Sequence, residues 1–220
     1  MRKFAITDIH GACKTFKQLL KDIQFSTEDE LYLLGDYIDR GPDSKGVIDH
    51  IWHLQAEGYS VSCLRGNHEQ MLLDELAKPN YYFKGEPNVL ASFSIEHNFQ
   101  IPKKYKDWLS SLDYYFEVDE YILVHAGLNF DIPDPLEAQH SMIWIRHWEE
   151  DIDKNWLDGR IVIHGHTPAK KKVIEDRLLL LEQLSSISID NGCVFPYADL
   201  GRLCAFELGS RQLFFRDFMD

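Results

Sequence analysis

Six residues of this chain have side chains that suit hard or borderline metal ions: Asp8, His10, Asp36, Asn67, His125 and His166. They offer carboxylate, imidazole and amide-oxygen donors and no thiolate. That set suits manganese, iron or zinc better than a soft metal or an iron–sulfur cluster. Six protein ligands exceed what one catalytic ion needs, because open positions must remain for water and substrate. Two divalent ions are the economical solution. In two-metal hydrolases such ions lie roughly 3.5–4 Å apart and clamp the attacking and leaving oxygens. Cations that close need a shared carboxylate, and Asp36 is the residue expected to supply it.

The six residues lie in five short segments, and each segment follows an apolar run. Asp8-Ile9-His10-Gly11 follows Phe4-Ala5-Ile6, and Gly35-Asp36-Tyr37-Ile38-Asp39-Arg40-Gly41 follows Glu30–Leu34. Arg65-Gly66-Asn67-His68-Glu69 follows Val61–Leu64. Val124-His125-Ala126-Gly127 ends the run from Tyr121, and His164-Gly165-His166-Thr167-Pro168 ends the run from Arg160. In open α/β sheets, ligands bind outside the carboxyl ends of the strands, so the five segments are expected to converge. A D-x-H triplet arises by chance about once in a chain this size and is weak alone. G-N-H-E and G-D-x-x-D-R-G are far more specific, and all five occur in order.

The intervening residues supply the elements. Phe16, Leu19, Leu20 and Ile23 recur at helical spacing, as do Val47, Ile48, Ile51 and Trp52, and Met71–Leu76 reads as a third helix. This βαβαβα alternation predicts parallel strands joined by right-handed crossovers. From Val173 onward the pattern is short strands at Leu178–Leu181, Ile187–Ile189, Leu203–Phe206 and Leu213–Phe215, which predicts a second, mixed or antiparallel sheet. Lys170-Lys171-Lys172 reads as a solvated turn. Residues 79–104 break the alternation with Pro79, Gly85, Pro87 and Pro102 and with aromatic residues including Tyr81, Tyr82, Phe83, Phe93 and Phe99. They are expected to form a cap or insertion beside the site within one domain spanning 1–220.

Bulk properties exclude some partners. A 220-residue chain with 45% hydrophobic residues suits one soluble domain with a sizeable core. A formal charge of −13 repels a nucleic-acid duplex, although bound cations can reverse the sign locally and admit a phosphate. Cys13, Cys63, Cys193 and Cys204 form no CxxC pair and read as reduced, buried residues. No apolar run is long enough to span a membrane, and no signal-peptide core is visible, so a cytoplasmic setting is expected. Composition says nothing about oligomeric state.

The motifs D-x-H-G, G-D-Y-I-D-R-G, G-N-H-E, V-H-A-G and G-H-T-P, between Asp8 and Pro168, resemble those of the calcineurin-like metallophosphoesterases. More closely they resemble the phosphoprotein-phosphatase branch, with the bacterial and phage-lambda-type serine/threonine phosphatases. Symmetric diadenosine tetraphosphatases share much of the pattern. The resemblance implies a four-layer α-β-β-α sandwich of two mixed sheets flanked by helices. It implies that Asp8, His10 and Asp36 hold one metal, and that Asp36, Asn67, His125 and His166 hold the other. Manganese is the expected ion, with iron or zinc as alternatives. His68 would protonate the leaving group, steadied by Asp39. Arg40 and, on a shorter motif, Arg146 would bind phosphate. Wider relatives carry G-H-x-H, and the Pro168 found here leaves the first metal with three protein ligands.

The implied chemistry is physically coherent. Phosphate-ester hydrolysis needs a nucleophile, charge neutralisation and a leaving-group proton. Metal-activated water supplies hydroxide near neutral pH. An alkoxide leaves poorly unless a general acid such as His68 protonates it. The expected activity is serine/threonine phosphatase action on phosphoproteins or small phosphoesters. A symmetric diadenosine tetraphosphatase or other nucleotide phosphohydrolase is the alternative, because residues 79–104 bring aromatic residues and lysines. An inactive binding module ranks last, since no ligand is missing. Glu69 reads as support for the ligands or as a helix-start acid. His164, two residues before His166, is expected to make structural hydrogen bonds, and Asp190-Asn191-Gly192 to form a turn or support the site.

Overall fold

The computed structural model describes residues 1–78 and 86–220. The early part of the expected cap, residues 79–85, lies outside the described residues. The first sheet contains β1 (Lys3–Ile6), β2 (Glu30–Leu33), β3 (Ser60–Cys63), β8 (Arg202–Glu207) and β9 (Gln212–Asp217), in the order β3-β2-β1-β8-β9. Its first three strands are parallel, while β8 and β9 are antiparallel to their neighbours. The second sheet contains β4 (Tyr115–Val118), β5 (Tyr121–Val124), β6 (Ile161–His164) and β7 (Ser186–Ser188) in sequence order. There β4 is antiparallel and the other three are parallel.

The two-residue period of the strands explains the layers. Phe4, Ile6, Leu31 and Leu33 face outward onto α1 (Cys13–Asp22) and α2 (Ser44–Ala56), meeting Phe16, Leu19, Val47 and Ile51. Their alternates face inward: Ala5, Cys204 and Phe206 meet Tyr121, Leu123, Ile163 and Ile187 of the second sheet. The outer face of that sheet, with Ile122, Val124 and Val162, is covered by Met142, Trp148 and Leu157. The result is two mixed sheets flanked by helices, as the motifs imply. Strands buried on both faces read as unbroken apolar runs, which is why β5 and β6 stand out in the sequence.

Residues 86–104 contain α4 (Pro87–Phe93), whose Val89 joins the core beside α2, and the start of α5 (Lys103–Ser110). Phe93 packs edge-on against Tyr105 at 4.8 Å, and Tyr105 stacks on Trp52 at 4.7 Å. These aromatic side chains fill a local core. The remaining helices are α3 (Asn67–Leu76), α6 (Gln139–Trp144), α7 (Lys154–Leu157), α8 (Lys171–Leu179) and α9 (Leu181–Leu184).

Three expectations fail after residue 168. Leu203–Phe206 and Leu213–Phe215, expected in a second sheet, lie in β8 and β9 of the first, beside β1. Leu178–Leu181 is not a strand: it closes α8 and opens α9. Lys171 and Lys172 are not turn residues but form the first turn of α8, where they pair with Glu175 and Asp176 four residues on. Such i,i+4 pairs favour helix. Leu179 and Leu180 are exposed, so the apolar run does not mark a buried strand.

Candidate active site

The five motif segments leave the carboxyl ends of β1, β2, β3, β5 and β6 and meet. Asp8, Asp36, Asn67, His125 and His166 are all buried. Asp8, His10, Asp36, Asp39, Arg40 and His166 have positive φ between 47° and 69°. That left-handed region disfavours non-glycine residues and, when clustered, marks sites where the surroundings hold strain. The strain is held by cross-links between segments: His10 N donates to Asp36 O at 2.8 Å and Gly11 N to Tyr37 O at 2.8 Å. Two glycines permit the close approach. A Cβ on Gly66 would sit 2.2 Å from Asp36 Oδ1, and one on Gly165 would sit 2.2 Å from Asp8 Oδ2.

The donor atoms converge at spacings that ligands of a common ion adopt. His10 Nε2 lies 3.8 Å from Asp8 Oδ1 and 3.5 Å from Asp36 Oδ2. His125 Nε2 lies 3.6 Å from Asp36 Oδ1 and 3.0 Å from Asn67 Oδ1, and His166 Nδ1 lies 2.8 Å from the same amide oxygen. Asp36 thus presents one oxygen to each group, the position a bridging ligand must occupy.

Ring tautomers decide whether these residues fit a metal. His10 Nδ1 donates to Ile38 O at 2.9 Å, and His125 Nδ1 donates to Leu34 O at 2.9 Å. A carbonyl can only accept, so both rings carry the proton on Nδ1 and present an Nε2 lone pair to the site. Burial first of all holds both rings neutral, with His10 lowered to about 3. A lone pair of His125 therefore faces a lone pair of Asn67 at 3.0 Å. Two acceptors at that distance repel unless a cation lies against both. His166 Nε2 is buried without a hydrogen-bond partner among the described residues. Burial, then the charge of Asp8, pushes Asp36 well above the usual carboxylate range. Facing lone pairs and crowded carboxyls both fit bound cations.

His68 sits on the rim. Its Nδ1 lies 2.5 Å from Asp39 Oδ2, and its Nε2 accepts from Arg40 Nη2 at 3.1 Å. Burial opposes its positive charge, but the Asp39 hydrogen bond and the Asp36 carboxylate outweigh burial and raise its pKa. His68 Nε2 is also 3.9 Å from Asp36 Oδ2, near enough to join His10 and Asp36 in a ligand group. The guanidinium already against Nε2 disfavours a cation there, and Asp8 completes that group better. Arg146 donates to Thr167 Oγ1 at 2.8 Å, which sets it beside His166.

The structure also places residues whose part the sequence left open or hid. Glu69 accepts from the backbone N–H groups of Asp36, Tyr37 and Gly66 at 2.8–2.9 Å, so it shapes the ligand loop as well as starting α3. Thr7 Oγ1 donates to Asp8 Oδ2 at 2.6 Å. Asp190 is buried and accepts from Gly192 N at 2.7 Å. His164 leaves the site, with its ring against Trp148 at 5.0 Å and Nε2 turned toward Glu149 at 3.6 Å. Phe195 lies under the Arg40 guanidinium at 5.0 Å. No motif announced that contact, because it comes from a loop remote in sequence.

Comparison with known proteins bears on the family and the fold. A symmetrical bis(5'-nucleosyl)-tetraphosphatase of Nitrosomonas europaea is 36% identical over 132 residues, covering 58% of this chain and 45% of the relative. The match spans about half the length of the first such relatives. Among solved structures, one provisionally named a diadenosine tetraphosphatase aligns with a TM-score of 0.70 at 19% identity, covering 100% of this chain and 94% of that one. A protein serine/threonine phosphatase from Saccharomyces cerevisiae aligns with a TM-score of 0.70 at 13% identity, covering 100% and 81%. The fold is therefore shared by both branches. The model of the calcineurin-like phosphoesterases matches residues 1–192, and the chain belongs to that family of hydrolases.

Proposed function

We propose that this phosphoesterase cleaves a nucleotide phosphoanhydride, with a symmetric dinucleoside tetraphosphate as its substrate class. The site geometry supports the reaction: two donor groups share Asp36, with the His68–Asp39 pair at their edge. The Nitrosomonas europaea relative, named for that substrate, supports the substrate class. Phosphoprotein phosphatase action, expected first from the motifs, has distant fold matches behind it, the yeast phosphatase and a protein tyrosine phosphatase of a Shewanella species, and a fold alone does not name a substrate.

In this proposal Asp8, His10 and Asp36 hold one divalent ion, and Asp36, Asn67, His125 and His166 hold the other. Oxygen and nitrogen donors suit manganese, with iron or zinc accommodated by the same set. When bound, the ions supply an activated water and neutralise phosphate charge. Arg40 and Arg146 flank the centre and clamp phosphate oxygens, for which the planar guanidinium is shaped. As Arg40 turns from His68 toward phosphate, Nε2 is freed. The freed Nε2 takes up a proton from water, favoured by the Asp39 hydrogen bond at Nδ1, and His68 then delivers that proton to the departing oxygen. Residues 86–104 are proposed to flank the substrate as a cap on this single domain.

The test is turnover with manganese on diadenosine tetraphosphate, a phosphoserine peptide and para-nitrophenyl phosphate. The expected result is preference for the dinucleotide, by at least ten-fold in kcat/KM over the peptide, with ADP as sole product. Preference for the phosphopeptide would replace this proposal with the phosphatase one.

A further inference from the structure

Beside Arg40 lies a pair of aromatic rings that the reaction as described does not use. Phe195 packs against the guanidinium at 5.0 Å, and Tyr197 stacks on Phe195 with ring centroids 6.1 Å apart and planes 19° apart. Tyr197 is 67% exposed. A large aromatic side chain held that open, one ring away from a phosphate-binding arginine, invites a π-face from outside.

The loop that carries the rings is held at its neck. Gly201 N donates to Asn191 O and to Gly192 O, both at 3.1 Å, and Phe195 N donates to Gly192 O at 2.9 Å. Asn191 Nδ2 donates to Ala169 O at 2.8 Å and to Asp199 O at 2.9 Å. Gly192 N is tied to the buried Asp190 carboxyl. The loop thus starts from the end of β7, beside the motif that follows β6. Because the backbone is already fixed, a base that stacked on Tyr197 would avoid most of the ordering cost that weakens binding by a loose loop.

We propose that Phe195 and Tyr197 form a stacking platform for a nucleobase of the substrate, with Tyr197 as the ring in contact and Phe195 as the spacer that also positions Arg40. This rests on the nucleotide reading above. The steps of 5.0 Å from the guanidinium to Phe195 and 6.1 Å from Phe195 to Tyr197 make the open ring a near neighbour of the phosphate-binding arginine. Stacking on an aromatic side chain tolerates any base, so the platform would select nucleotides over alkyl phosphates without selecting among bases.

The experiment compares kcat/KM for diadenosine tetraphosphate with kcat/KM for β-glycerophosphate, which has no π-face. Tyr197→Ala should lower that ratio at least about five-fold, the low end of what loss of one base stack costs, chiefly through KM for the dinucleotide. Tyr197→Trp should restore it, because a larger π-face replaces the lost one. An unchanged ratio in Tyr197→Ala overturns the platform while leaving the nucleotide reading intact. A wild type that hydrolyses β-glycerophosphate but not the dinucleotide overturns the nucleotide reading and the platform with it. An equal loss on both substrates, unrescued by Tyr197→Trp, assigns Tyr197 to holding the loop and also overturns the platform.

Discussion

Two neighbours in sequence, Asn67 and His68, are given different work by their surroundings. Asn67 Oδ1 faces His125 and His166, whereas His68 turns to Asp39 and Arg40. The two residues open α3, where successive side chains point about 100° apart, so adjacent positions serve different sides of one site. His68→Asn should therefore keep both metal equivalents and lose rate. General acid catalysis is worth about 10²–10⁴-fold, so a loss in that range is expected on a substrate with a poor leaving group. On para-nitrophenyl phosphate the loss should be smaller, since para-nitrophenolate departs with little help. Elemental analysis alongside the two rate measurements checks this. Metal lost together with equal impairment on both substrates would make His68 a ligand. At this scale the sequence was informative because donor type and motif spacing are chemical facts carried by the residues themselves. Glu69 was only half legible: an acid at a helix start has an ordinary explanation, and its bonds to the Asp36 loop come from 31–33 residues away in sequence.

At the scale of elements, the parallel strands must start in register for their far ends to present ligands together. Arg2 and Asp29 clamp the starts of β1 and β2. Asp29 accepts from Arg2 Nε at 3.1 Å and Nη2 at 2.7 Å, and from Ser26 N at 3.0 Å, while Glu30 N donates to Arg2 O at 2.9 Å. The Arg2 hydrogen bond first, opposed by burial and aided by Ser26, lowers the Asp29 pKa to about 2. A carboxyl whose folded pKa is depressed stabilises the fold above its unfolded value of about 3.9, and that contribution is lost as pH falls toward the folded value. Wild type should thus exceed Asp29→Ala by about 1–2 kcal/mol at pH 7, a figure reduced for the exposed side of Arg2. Urea unfolding should show the gap shrinking between about pH 5 and pH 2, and a gap that widens over that range would refute the clamp. Elements were legible where burial on both faces made apolar runs. They were hidden where exposure diluted the pattern, as in the half-exposed β4, or where leucines lined a partly solvated helix, as in α8. The cap of α1 was invisible for another reason. Ala12 cannot cap it, and the Asp220 carboxylate accepts from Lys14 N at 2.7 Å and Thr15 N at 2.9 Å across the whole length of the sequence.

Across the whole molecule, the ligands are divided between the sheets. Asp8, His10, Asp36 and Asn67 follow strands of the first sheet, and His125 and His166 follow strands of the second. Between the sheets lies an apolar layer that includes Phe206, Tyr121 and Ile163, and a few hydrogen bonds, such as His125 Nδ1 to Leu34 O, already cross from one sheet to the other. A cation held by Asp36 on one side and His125 and His166 on the other would add a directional link across that layer. It would also relieve the crowding by which, after burial, Asp8 raises the pKa of Asp36, and Asp8 and Asp36 raise that of Asp190. Binding to the folded state alone stabilises by RT ln(1 + [L]/Kd), about 2.7 kcal/mol at one hundred times Kd. For a chain of this size each kcal/mol moves Tm by about 2–4 °C, so saturating manganese should raise Tm by about 5–10 °C over protein held in excess chelator. Asp36→Asn should lose most of that increment, because a neutral amide bridges two cations poorly. His68→Asn, which leaves the proposed ligands in place, should retain it. A Tm that ignores manganese in the wild type would show that the ions do not tie the two sheets together. A full increment in Asp36→Asn would remove Asp36 from the bridging position and leave the link to Asn67, His125 and His166 alone.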